Sequence, residues 1–357
     1  MSTILAGSNK HTMFVLDTCP LNSDYKKVII CSEKNFPSEF SRLRISGERF
    51  LFIIDYEMRN FILCPVEECA SNGIFYSIHG ESNSLFSGGK IESIKEIYPP
   101  DYREYVAAFD KVMSNIVSGN TYLLNLTFRS EIYSAYSLSD VFASATAPYK
   151  LLFGDEFAVF SPEIFIKVIG KEIKTFPMKG TISSEHSDSL DLLLNDEKEM
   201  AEHLTVVDLL RNDMGIICET VSVERYRYAE KIFFNEGGIY QTSSEIKGIL
   251  NDEFFNDYGK LLLKLLPAGS VTGAPKKETI AIIKDAENYN RGFYTGVFGI
   301  CEGDYLDSCV MIRFIEKEKN KLYFKSGGGI TVYSNPEKEY EELIRKISIP
   351  VHRDCQN

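Results

Sequence analysis

The stretch Ile164-Phe165-Ile166-Lys167-Val168-Ile169-Gly170-Lys171-Glu172-Ile173-Lys174-Thr175-Phe176-Pro177-Met178-Lys179-Gly180-Thr181 decides how this chain is read. Two apolar-rich runs, Ile164 to Ile169 and Glu172 to Phe176, flank the connection Gly170-Lys171. That spacing predicts a β-hairpin, whose strands are antiparallel. Around it, strand runs and helix runs mix without strict strand–helix–strand alternation. This argues an α+β protein built on antiparallel sheets and against a doubly wound parallel fold. The second strand delivers Lys179 into a frame of Pro177 and Gly180. An amine held in so constrained a frame reads as a candidate nucleophile and not as a solvated surface charge.

Upstream, residues 1 to 98 alternate short apolar runs with turns, and Arg49 to Tyr56 and Gly73 to Ile78 are predicted strands. Asp101 to Ser118 is a predicted amphipathic helix with Tyr105, Phe109, Val112, Met113, Ile116 and Val117 on one face. Strands are predicted at Tyr122 to Ile132, Lys150 to Phe153 and Phe157 to Phe160. Downstream, helices are predicted over Asp196 to Met214 (Met200, Leu204, Val207 and Leu210 apolar), Phe254 to Leu266, and Pro275 to about Asn288. Strands Tyr294 to Cys301, Asp307 to Ile315 and Lys321 to Lys325 lead into Ser326-Gly327-Gly328-Gly329. Asn335 is then a predicted cap for a last helix that opens on Pro336.

The 357 residues carry 39 Lys+Arg against 51 Asp+Glu, a formal charge of -12, which disfavours nucleic acid and anionic membrane as partners. The same charge poses a problem for an anionic small-molecule substrate, which then needs local arginines or a divalent cation. Met1 to Asn9 shows no signal-peptide pattern, and no run of about 18 apolar residues predicts a membrane span. The eight cysteines form no CxxC pair and read as reduced thiols of a cytoplasmic protein.

Two helices carry carboxylates at i,i+3, Glu199 with Glu202 and Glu339 with Glu342, each pair on one helix face. Either pair is a solvated acidic face or half of a cation site. Four converging carboxylates repel unless a hard cation such as Mg²⁺ joins them, and that ion also bridges to anionic substrates. Lys346 follows Glu342 on the same face. Gly269-Ser270-Val271-Thr272-Gly273-Ala274-Pro275 precedes a helix, and reads either as a tight turn or as an anion cradle. Ser326 to Gly329 reads as a second turn. Arg313, inside an apolar strand, needs an anionic partner, either internal or from a ligand. Glu163, in Ser161-Pro162-Glu163, is a candidate general acid if shielded from water.

In this order the motifs resemble those of the chorismate-utilising enzymes, from about Asp101 to Lys346. They are Gly119-Asn120-Thr121-Tyr122-Leu123-Leu124-Asn125-Leu126-Thr127, Ser161-Pro162-Glu163, Pro177-Met178-Lys179-Gly180-Thr181, Lys198 to Asp213, Pro267 to Lys276, Arg291 to Gly296, and Gly327-Gly328-Gly329-Ile330 with Glu339 and Glu342. The resemblance implies two antiparallel sheets packed as a sandwich with helices outside. It implies that residues 1–98 are a β-rich portion of the same fold and 99–352 the chorismate-binding catalytic domain. It implies Mg²⁺ bound by Glu202 and Glu342, supported by Glu199 and Glu339, gripping the ring carboxylate. Arg313 and Tyr294 would hold the enolpyruvyl carboxylate, helped by Thr272, Gly273, Gly328 and Lys346, and Glu163 would protonate the departing C4 hydroxyl.

Within the family, Lys179 is similar to the lysine of the branch that makes 4-amino-4-deoxychorismate, for para-aminobenzoate and folate. There a lysine amine attacks C2 and ammonia then displaces it from C4. In the anthranilate branch this frame usually carries alanine. Leu123 stands where isochorismate-forming relatives carry a water-activating lysine and many others glutamine. Gln241 stands where many relatives carry a histidine associated with pyruvate elimination. The chain shows no Gly-x-Cys-x-Gly nucleophile elbow, so the resemblance implies ammonia from a separate glutamine amidotransferase subunit. The rival readings are anthranilate synthase component I and a non-catalytic paralogue that docks a glutaminase.

Overall fold

In the computed structural model, residues 28–89, 91, 94–184, 186, 188–234 and 237–349 are described. Met1 to Asn9, Cys19 and Cys355 lie outside them. The six described cysteines are free thiols.

Two antiparallel sheets pack face to face. The ten-stranded sheet runs in the order Ile29–Cys31, Phe61–Pro65, Phe50–Ile54, Val297–Glu302, Tyr305–Val310, Ile164–Ile169, Glu172–Thr175, Gly237–Leu250 and Met178–Ser183, with Cys218–Phe234 along the other side of Gly237–Leu250. The nine-stranded sheet runs Gly273–Ala274, Leu123–Tyr133, Lys321–Ile330, Phe314–Glu318, Phe157–Ser161, Tyr149–Phe153, Ile74–Ile78 and Glu81–Ser82, with Glu96–Tyr98 beside Leu123–Tyr133. The quoted hairpin is present, pairing Ile169 with Glu172 and Lys167 with Lys174. Strands from before residue 98 enter both sheets: Phe52 pairs with Gly299 and Tyr76 with Leu151.

Leu51, Ile53, Tyr76, Leu151, Val159, Phe298 and Phe314 fill the space between the sheets. Outside the first sheet, Phe36, Phe40, Val207, Met214 and Leu262 form a second core under the helices Phe36–Ile45, Glu197–Ile217 and Tyr258–Leu265. Outside the second, Tyr105, Phe109, Val112, Ile282 and Leu343 join the helices Tyr102–Val117, Lys276–Ala286 and Pro336–Arg345 to Leu124, Leu126 and Ile330. Each such side chain, fully buried, is worth about 1.5–3 kcal/mol. The last helix begins as predicted, with Asn335 accepting from the Lys338 N–H.

Several elements differ from the sequence reading. Ser326 to Gly329 is not a turn but the end of the strand Lys321–Ile330, with Gly329 opposite Asn125. The predicted helix Phe254 to Leu266 is two helices, Asp252–Asn256 and Tyr258–Leu265, because Asp257 caps the second by accepting from Lys260 N–H. The predicted strand Asp307 to Ile315 is two strands in different sheets. The long hairpin of Cys218–Phe234 with Gly237–Leu250 and the helix Phe36–Ile45 were not anticipated. In the Glu197–Ile217 helix, Met200 and Leu204 are exposed while Glu202, His203, Val206 and Val207 are buried. Its first half turns a polar face inward, which an apolar count along the helix cannot reveal.

Candidate active site

Two short crossovers carry the chain between the sheets. Pro162-Glu163 links Phe157–Ser161 to Ile164–Ile169, and Met311-Ile312-Arg313 links Tyr305–Val310 to Phe314–Glu318. They lie side by side: Val310 N–H donates to Glu163 O at 3.0 Å and Phe160 N–H to Arg313 O at 3.2 Å. Arg313 is therefore not within a strand; its φ of 54° is left-handed, which a non-glycine rarely adopts. Its Nη1 donates to Lys346 O at 2.6 Å. No ion pair to a carboxylate is found for it among the described residues, and burial pulls its pKa down, opposed by Tyr294.

Glu163 Oε1 accepts from Ser270 Oγ at 2.5 Å. Burial pushes this carboxyl above its ordinary pKa, while the Ser270 bond and the charges of Lys179 and Lys346 pull the other way. A shielded carboxyl of raised pKa suits proton donation. Sequence reasoning quoted Ser270 but gave it no role; a hydroxyl in a glycine-rich turn facing a candidate acid was the available signal.

Lys179 belongs to the strand Met178–Ser183, paired with Gly237–Leu250. Lys179 opposes Thr242, but Thr181 opposes Gln241, so Gly180 is the extra residue of a bulge, with φ 77°. Such a bulge bends the strand and re-aims a side chain. Thr242 Oγ1 donates to Lys179 O. A Cβ on Gly180 would stand 2.9 Å from Glu199 Oε2 and 3.0 Å from Leu193 Cδ1. Lys179 Nζ lies 3.9 Å from Glu202 Oε2. It also reaches within 3.0 Å of where a Cβ on Gly329 would be, and Leu123 Cδ1 lies 3.2 Å from that point.

Successive strand residues face opposite sides. On the Gly328 side, a Cβ would stand 3.7 Å from Glu339 Oε2 and 3.8 Å from Lys346 Nζ. Lys346 Nζ donates to Gly327 O at 2.8 Å and pairs with Glu342 Oε1 at 2.8 Å. Ser334 Oγ donates to Glu339 Oε1 at 2.8 Å. The glycine run thus leaves room for Lys179 at Gly329 and for Glu339 and Lys346 at Gly328, and both lysines act on Glu163.

The four glutamates were expected to converge. Glu202 lies by Lys179 and Glu342 by Lys346, and among the described residues no three acidic, His or Cys side chains gather at metal-ligating distance. The all-oxygen donor set still fits Mg²⁺, which takes one or two carboxylates and completes its shell with water and substrate oxygens.

Tyr294 is buried beside Arg313, Glu163 and Arg291, and burial raises its pKa. Arg291 is a structural residue: Nη2 meets Glu287 Oε1 at 2.6 Å, Nη1 donates to Val271 O, and the guanidinium lies over the Tyr56 ring. Thr272 is fully buried and its Oγ1 donates to Ala268 O at 2.8 Å, so its proton is spent inside the turn. A Cβ on Gly273 would stand 1.9 Å from Leu123 O, so that glycine serves strand pairing with Leu124. His203, also without an assigned role, is fully buried; its Nε2 lies 2.7 Å from Ser244 Oγ, and burial, Arg227 and Lys179 push its pKa down to about 4. A surface hollow of about 620 Å³ lined by Tyr98, Tyr133, Tyr136 and Lys321 shares no residue with this cluster.

Residues 82–352 match the family model described as chorismate binding enzyme. An uncharacterized PabA-like protein of Haemophilus influenzae is 45% identical over 302 residues, 85% of this chain and 92% of the relative. The aminodeoxychorismate synthase component 1 of Bacillus subtilis is 31% identical over 67% of this chain and 53% of its own length. The anthranilate synthase component 1 of Spirochaeta aurantia is 34% identical over 71% of this chain and 55% of its own. Among solved structures, the menaquinone-specific isochorismate synthase of Escherichia coli superposes with a TM-score of 0.69 at 17% identity, covering 89% of this chain and 82% of that one. The anthranilate synthase component I of Streptococcus pneumoniae does so at 0.65 and 22%, covering 84% and 80%. These structures share the two-sheet fold.

Proposed function

Because the chain belongs to the chorismate binding enzyme family, we propose that it is an aminodeoxychorismate synthase component I, converting chorismate and ammonia to 4-amino-4-deoxychorismate. The observation that carries this reading is the bulged Lys179, whose amine reaches Gly329 and acts on Glu163. In this scheme the neutral Lys179 amine bonds to C2, the ring double bond shifts, and the C4 hydroxyl leaves as water with the proton of Glu163. Ammonia then bonds to C4, the double bond returns, and the lysine amine is expelled from C2, with the surplus proton returning to Glu163. The net change is chorismate plus ammonia to the 4-amino compound plus water. Arg313 and Tyr294 orient a substrate carboxylate, and Arg313 suits this because its guanidinium faces no protein carboxylate among the described residues. Mg²⁺, held by Glu202 and Glu342 with Glu199 and Glu339 in support, would neutralise the ring carboxylate.

A separate glutaminase would supply ammonia in the cytoplasm, and a separate lyase would release para-aminobenzoate. No described helix is long and apolar enough to cross a membrane. The test incubates the protein with chorismate, Mg²⁺ and ammonium and identifies the product by mass and NMR. The 4-amino compound is expected, and it should vanish in Lys179→Ala. Anthranilate as the product, or an unimpaired Lys179→Ala, refutes the assignment.

A further inference from the structure

Arg227 stands in the strand Cys218–Phe234, at an irregularity between Arg225 and Tyr228, with a left-handed φ of 46°. A non-glycine held there needs surrounding contacts to keep it, and such outliers gather at functional sites. The contacts are specific. Nη2 donates to Leu193 O at 2.7 Å and Nη1 to Leu194 O at 2.5 Å, carbonyls of the last turn of the helix Ser189–Asn195. A cation suits that end of a helix. Asp196 follows at once and caps the Glu197–Ile217 helix by accepting from Glu199 N–H. The backbone N–H of Arg227 donates to Ser244 Oγ at 2.8 Å, which also meets His203 on that helix. Leu193, whose carbonyl is clamped, packs on the Gly180 bulge next to Lys179.

We propose that Arg227 is a positioning residue for Lys179. Its guanidinium pins the junction of the two helices, which presses Leu193 onto Gly180 and fixes both the aim of the lysine amine and the turn bearing Glu199 and Glu202. This rests on the reading above only in taking Lys179 as the nucleophile. Lysine in place of Arg227 offers one nitrogen where the planar fork offers two, so it does not reproduce the geometry of the pair of Nη bonds.

The test compares wild type with Arg227→Met and Arg227→Lys. Without chorismate, acylation of Lys179 by a small anhydride is followed by peptide mass mapping, with the Lys346 peptide as internal reference. The Lys179:Lys346 labelling ratio should change severalfold in both variants, and millimolar guanidinium should restore it in Arg227→Met. With chorismate, kcat should fall about 100-fold, as for a roughly 1 Å misplacement, while KM moves little. An unchanged labelling ratio, or a fall in kcat matched by loss of folded protein and unrelieved by guanidinium, overturns the proposal. Because labelling needs no turnover, a wild type that fails to make the 4-amino compound sinks the functional reading and leaves the Arg227 result interpretable.

Discussion

Replacing Ser270 by alanine should raise the pKa of Glu163 further. The Ser270 hydroxyl is the strongest influence holding that carboxyl down against burial, and it meets Oε1 at 2.5 Å. A hydrogen bond to a charged group is worth about 1.5–3 kcal/mol, so its loss disfavours the ionised carboxylate and the pKa moves upward. Lys179 and Lys346 continue to favour the ionised form and oppose that rise. The direct assay is the infrared band of the protonated carboxyl, titrated with pH and assigned by subtracting the Glu163→Gln spectrum. Its midpoint should rise in Ser270→Ala, and whichever limb of the pH–rate profile reports Glu163 should move the same way. A carboxyl whose folded pKa exceeds its unfolded pKa contributes stability that is lost as pH rises through the folded value. The variant should therefore also be less stable than wild type above both midpoints. A midpoint that stays put or falls refutes the assignment of Ser270 as the bond that favours the ionised acid.

Gly329→Ala places a methyl 3.0 Å from Lys179 Nζ and 3.2 Å from Leu123 Cδ1; kcat should fall about 100-fold as the amine is displaced, while stability changes by no more than about 1–3 kcal/mol. Full activity in that variant would show that the amine does not use this seat. Glu287→Ala strips the buried Arg291 of its carboxylate and should cost about 3–5 kcal/mol in urea unfolding; a loss under about 1 kcal/mol contradicts the pairing. His203, pushed down to about 4 from 6.5, is protonated more readily unfolded than folded. Its contribution is present above pH 6.5 and is lost as pH falls towards 4, by up to about 3 kcal/mol. His203→Gln should flatten the acid limb of the stability curve, and an unchanged limb refutes this.

The hairpin after Ile164, the antiparallel α+β class and the Asn335 cap were legible because each rests on local chemistry: a two-residue turn, mixed strand and helix runs, a side-chain acceptor; the sandwich with outer helices came only from the family resemblance. The crossovers were not. Val310, Met311, Ile312 and Phe314 look like one strand, and only pairing partners far along the chain divide them between two sheets. Gly327 and Gly329 were read as turn residues because glycine most often serves backbone freedom. Here it serves thinness: a Cβ on Gly327 would meet Leu126 O at 2.6 Å, and one on Gly329 would meet an amine. The Cys218–Phe234 strand was hidden by its charges, Arg225, Arg227, Glu230 and Lys231. Single residues such as Lys179, Glu163 and Arg313 were singled out through their unusual neighbours. Ser270, His203 and Arg227 were missed because their significance lies in what they touch.

The bulge at Lys179 and Gly180 is held by main-chain groups: a carbonyl taken by Thr242, a positive φ at the glycine, and a one-residue slip against Gln241. The side chain at position 179 takes no part in that hold. The architecture is therefore indifferent to what the position carries, and the choice of attacking group is separable from the choice of fold. On the proposed reading, the attacking group can therefore be exchanged at this one position while the strand and its bulge stay folded.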